Sequence, residues 1–198
     1  AGALYSSLSR AHGFDRVVLE QDPLAMELAC APERKGDVKA VAALSKRYPT
    51  FFEFSSDQDL AFIARACAAG RGPAPVWGVE QALGSERYLE ELENLAPTPA
   101  ARAAALELLT HVRAIEKGRK DYSKFLHDDP ATQGRLEALQ RAFAAKPGSR
   151  ADFLLSGLLK SAEIFGYDRR AGAGEWVGLY NNTVREAQFK HNFMIQYR

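Results

Sequence analysis

The apolar positions of this chain recur mostly at helical spacing, interrupted by two short continuous apolar runs. Leu4, Leu8 and Ala11 stand at i, i+4 and i+7 and predict a helix over 1–12. Gly13 suits its end, because glycine accepts the left-handed conformation that follows many helices. Val17-Val18-Leu19 predicts a strand over 14–20, and an unbroken apolar run suits a strand covered on both faces. Asp22-Pro23 reads as an N-cap with proline in the first helical position, so the strand should feed directly into a helix to about Cys30. Residues 31–36 read as a turn, and 37–48 as a helix stopped by Pro49. Ser56 and Asp59 resemble a capping box that opens a helix to Ala69. Val76-Trp77-Gly78-Val79-Glu80 is the second predicted strand.

Everything beyond reads as helical: 85–95, a long helix from Thr98-Pro99 to about Leu126, one opened by Asp129-Pro130, and one capped by Ser149 through about Phe165. A glycine-rich loop over 169–174 and a final helix from about Glu175 complete the chain. The one internal echo is glycine, strand, Glu-Gln, at 13–21 and again at 70–81.

Strands joined by helices pair in parallel with right-handed crossovers. The expected class is therefore α/β: helix-rich, with a small, mostly parallel sheet and a large helical insertion, in a single domain over 1–198. Two strands do not make an independently stable sheet under this many helices. Phe51-Phe52-Glu53-Phe54 is the spare strand candidate, and the final helix pattern ends without a cap. The expectation is an incomplete sheet and a chain that is part of a larger domain.

Charge narrows the function classes. The 26 basic and 25 acidic residues leave a net charge of +1, without the basic excess of a dedicated nucleic-acid binder. Lys117, Arg119 and Lys120 would scatter around a helix as a solvated face. Cys30 and Cys67 each lie in an alanine-rich helical stretch and read as small apolar core residues, with no disulfide framework implied. No apolar run approaches the ~18 residues that a transmembrane helix needs. The chain starts at Ala1 rather than Met, so the compartment stays open. His12, His111 and His127 are not spaced as metal ligands on one element, and no metal site is expected. Gly172 and Gly174 follow no predicted strand, so a nucleotide fingerprint is unsupported, and there is no Gly-x-Ser-x-Gly elbow.

The candidate chemistry lies at the strand ends. In parallel sheets, ligands bind outside the carboxyl ends of the strands, where Glu20 and Glu80 fall. Two carboxylates there could share a proton, hold a metal or divide into acid and base. The plainer alternative is that each caps the following helix or meets a surface cation. On the last helix, at about 100° per residue, Trp176, Tyr180, Val184, Ala187 and Met194 share one face. Asn181, Arg185, Gln188, Asn192 and Gln196 form a neighbouring stripe of amides with one charge. Such a stripe suits a polar groove that fixes a ligand through directed hydrogen bonds, or else an interface. His191 falls inside the apolar sector, where a lone histidine is more often a hydrogen-bonded core residue than a catalyst. With Asn181, Gln188, Trp77 and Gln81 it completes the candidate ligand contacts.

These segments together resemble a family. Gly13-Phe14-Asp15-Arg16-Val17-Val18-Leu19-Glu20 resembles the "G-F-x-x-hydrophobic-E" strand of erythromycin esterase-like proteins. Val76-Trp77-Gly78-Val79-Glu80 is similar to their "W-G-hydrophobic-D/E" strand. Val184-Arg185-Glu186 with Met194 is similar to their "R-D/E…M" helix. The wider superfamily includes ChaN-type haem-binding lipoproteins and TraB/TIKI-type proteins. The resemblance implies a hydrolase that acts on an ester or related bond by activated water. Glu20 and Glu80 would be its strand-end acids and Arg185 its helix arginine, with Glu186 where many relatives carry Asp. The family's Gly-Glu-x-His strand and its later histidine-bearing strand have no match here. Two other functions stay open: a binding protein of the ChaN type that holds haem or another ligand without catalysis, and an interaction module. The sequence names no cofactor, and a small molecule is the expected partner.

Overall fold

The computed structural model describes residues 2–72, 74–117, 123–176 and 180–197, without the side chains of residues 2, 3, 180 and 181. It forms two compact units, one of residues Ala1–Glu80 with Ala187–Arg198 and one of Gln81–Glu186.

The first unit contains α1 (Gly2–His12), β1 (Val17–Leu19), α2 (Pro23–Ala29), α3 (Val38–Arg47), α4 (Asp57–Ala69) and β2 (Val76–Gly78). The local signals work as their chemistry requires. Asp22 accepts from the amides of Leu24 and Ala25, and the reciprocal box of Ser56 and Asp59 opens α4. β1 and β2 pair in parallel, Val17 opposite Val76 and Leu19 opposite Gly78. They form the one sheet among the described residues. Gly78 is required here: a Cβ at that position would lie 2.5 Å from the Gln21 carbonyl oxygen and 2.6 Å from that of Asp22.

Three expectations change in this unit. β1 is not covered on both faces, since Val18 is 43% exposed, whereas β2 is buried throughout. Residues 51–54 are not a strand. Instead the Gln21 side chain acts as a strand's backbone would, donating to the Phe54 carbonyl at 2.9 Å and accepting from the Glu53 amide at 3.0 Å. Cys30 and Cys67 are not separate core thiols but a disulfide, with Cα atoms 5.1 Å apart, inside the usual bridging range. It joins the C-cap of α2 to α4. Each cysteine alone looks like core filler, and only the approach of the two helices makes the bond.

The second unit contains α5 (Ser85–Leu95), α6 (Pro99–Glu116), α7 (Lys124–His127), α8 (Thr132–Phe143) and α9 (Arg150–Gly172). Ser85, Tyr88, Leu89 and Leu92 lie at i, i+3, i+4 and i+7 and give α5 one buried face. Ala101, Ala105, Leu108, Leu109 and Val112 do the same for α6. The predicted long helix to Leu126 is shorter, because α6 ends at Glu116 and Ser123 caps the separate α7. Asp129 does not cap α8 directly. It accepts from the Ala131 amide at 2.9 Å, and the helix starts at Thr132. α9 extends through the predicted loop to Gly172.

Glu116 ties three of these helices together. Its Oε1 accepts from Ser85 Oγ at 2.9 Å, Ser123 Oγ at 2.5 Å and the Phe125 amide at 3.2 Å. Burial raises its carboxyl above the ordinary value, against the opposing pull of those three hydrogen bonds. The folded state therefore holds the proton to higher pH than the unfolded chain does. The stability this group contributes is fully present below the ordinary value of 4.5 and is lost as pH rises through the folded value. Glu116→Gln should remove that dependence, so the variant should gain on the parent as pH rises from 4.5. Urea unfolding across a pH series checks this, and a pH-independent difference would contradict it.

Candidate functional site

The candidate site is the carboxyl edge of the two parallel strands in the first unit. The register sets its geometry. Leu19 faces Gly78, the Val79 amide donates to the Leu19 carbonyl at 3.0 Å, and the Glu80 amide donates to the Gln21 carbonyl at 3.0 Å. Glu20 and Glu80 are thus one rung out of step, and strand alternation sends them to different sides. Glu20 is exposed, on the side of exposed Val18. Glu80 is 1% exposed. The two glutamates reach the same edge but are not equivalent: one is open to solvent and ligand, the other is enclosed. Between them Asp22, fully buried, is committed to capping α2.

The amide stripe belongs to the last helix, α10 (Tyr180–Tyr197), whose residues from Ala187 onward lie in the first unit. Asn192 Nδ2 donates to the Glu80 carbonyl at 2.8 Å and the Val79 carbonyl at 3.2 Å. Gln196 Nε2 donates to the Gly78 carbonyl at 2.8 Å. Gln188 donates to Asn192 Oδ1 at 2.8 Å and so orients it. These amides serve the carbonyls of Gly78, at the end of β2, and of Val79 and Glu80 just beyond it; each such bond contributes roughly 1 kcal/mol. Buried Trp77 belongs to the same packing, its indole donating to the Ala74 carbonyl and its ring edge-on to Phe193 at 5.5 Å.

The face of α10 that packs is therefore not the predicted apolar one. Trp176, ahead of the helix, is 91% exposed and Met194 is 38% exposed, while Asn192 is buried. His191 is exposed rather than a core residue. Gln81 is buried. Arg185 is half-buried and belongs to the second unit. The Asn181 side chain lies outside the described residues. Among the described residues, no group of three or more His, Cys, Asp and Glu side chains is arranged to hold a metal ion. No described helix is long and apolar enough to cross a membrane.

No family model, curated protein or solved structure matches this chain.

Sequence reasoning passed over one polar cluster in the second unit, that of His111, Asp129 and Arg135. His111 Nε2 lies 3.1 Å from Asp129 Oδ2, and Arg135 Nη1 reaches the same oxygen at 2.6 Å and also contacts His111 Nε2. Burial pushes the Asp129 carboxyl up, but the Ala131 amide, His111 and Arg135 together outweigh it and hold the carboxyl below its ordinary value. Its members come from α6, the segment before α8 and α8 itself, so no local motif announces it.

Proposed function

We propose that this chain carries part of a hydrolytic site of the erythromycin esterase type, cleaving an ester or related bond with activated water. The observation that supports this most is the in-register parallel pairing of β1 and β2, with exposed Glu20 at the carboxyl end. That edge is where parallel sheets present their chemistry. In this reading Glu20 accepts a hydrogen bond from the attacking water and orients it toward the carbonyl carbon. Arg185, the helix arginine of the resemblance, belongs to the second unit and is given no role at this edge. The histidine of the family's Gly-Glu-x-His segment has no match in these 198 residues, so within them Glu20 is also the base to which the water proton passes as the C–O bond forms. Glu80, enclosed at the neighbouring strand end, supports the edge from within rather than meeting substrate. Of Trp77, Gln81, Gln188 and His191, only His191 is exposed and able to meet a ligand without rearrangement.

The test is turnover of a panel of carboxylic esters and lactones by the protein. Hydrolysis of at least one class above the uncatalysed rate is expected. Binding of esters without turnover would favour the ligand-binding alternative.

A further inference from the structure

A second place in the molecule has the makings of a binding site, independent of the hydrolytic reading. Within the second unit, α6 and α8 border a cavity of about 290 Å³. Ala104, Glu107, Leu108 and His111 follow one face of α6, and Arg135, Ala138 and Leu139 one face of α8. Leu108 and Leu139, 7% and 2% exposed, make an apolar floor. The two alanines leave room above it.

The charges are unequally committed. Arg135 is held by Asp129 through Nη1 alone, and the carboxylate that holds it is itself anchored by the Ala131 amide. Its Nε and Nη2 make no hydrogen bond among the described residues, and these are the donors that fit a carboxylate side-on. A guanidinium already pinned in place loses less freedom when it binds. Glu107, also lining the cavity, makes no hydrogen bond or ion pair among the described residues. An anchored cation and an uncommitted anion thus share the wall of one small pocket with an apolar floor.

We propose that this cavity binds a small zwitterion with an aliphatic tail, of the free α-amino acid class. The ligand carboxylate lies on Nε and Nη2 of Arg135, its ammonium group on Glu107, and its tail between Leu108 and Leu139. A cavity of this size, at the small end for ligand pockets, suits a compact ligand of this kind.

Calorimetric titration of the full chain with leucine tests this, with 4-methylpentanoate, which lacks the amino group, as the second probe. Leucine should bind with a dissociation constant of ~1 mM or tighter. Arg135→Gln should weaken both probes by roughly tenfold or more, the scale of a lost charge-assisted contact. Glu107→Gln should weaken leucine and leave 4-methylpentanoate unchanged. Ala138→Phe, at an exposed position, should block both by filling the pocket, and it decides the question if Arg135→Gln fails to fold. No leucine binding in the millimolar range overturns the proposal. So does binding that survives Ala138→Phe, or equal loss of both probes in Glu107→Gln.

Discussion

Glu20→Gln is expected to lower ester turnover by ~10²–10⁴, the range that general acid–base assistance supplies, while leaving the melting temperature nearly unchanged. The argument rests on position. Glu20 is an exposed side chain at the end of a strand whose own outer face is exposed, so it fills no part of the core. Glutamine keeps its size but removes both the charge and the strong acceptor that would orient water. Glu80→Gln should behave differently. Glu80 is 1% exposed, so replacing it alters a packed interior and should show in stability as well as in rate. A large fall in melting temperature for Glu20→Gln would make Glu20 structural. Unchanged turnover would remove it from the chemistry.

Replacing both members of the Cys30–Cys67 disulfide with alanine should destabilise the first unit by ~2–4 kcal/mol. The closed loop spans a sequence separation of 37, for which the chain-entropy account gives an upper figure of about 4 kcal/mol. The effect should also reach the candidate site. The bond clamps the end of α2 to α4, and Asp22, the N-cap of α2, stands two residues after Glu20. Urea unfolding of the oxidised protein, the reduced protein and the double variant measures it. The reduced protein and the variant should unfold alike and earlier than the oxidised form; three coincident curves would show that the bond does nothing for the fold. Disulfides persist in oxidising surroundings, so a stabilising bond here carries the further expectation that the protein works in such a compartment.

The parts of the fold set by short-range chemistry were legible in the sequence. Asp22-Pro23, Ser56 with Asp59, and Thr98-Pro99 each satisfy helix-end amides within a few residues, and each helix starts where those residues require. The parallel pairing also followed from two apolar runs separated by helices. What depends on distant partners was not legible. The amides of Asn192 and Gln196 look like a ligand groove until the carbonyls of residues 78–80, more than a hundred positions away, are seen to need donors. The disulfide hides for the same reason, and so does the one-rung offset between Glu20 and Glu80, which only the register reveals. The need of the carbonyls at the end of so short a sheet for donors was the signal that could have flagged the stripe as structural.

The central claim is that the hydrolytic chemistry works at the exposed glutamate of the β1 end. The most direct measurement is the side-chain carboxyl carbon resonance of Glu20, followed by NMR while a phosphonate mimic of the tetrahedral intermediate is titrated into the protein. The account predicts that this resonance moves in step with binding and that Glu20→Gln weakens the mimic. A mimic that binds while the Glu20 resonance stays fixed, or that does not bind at all, would contradict it.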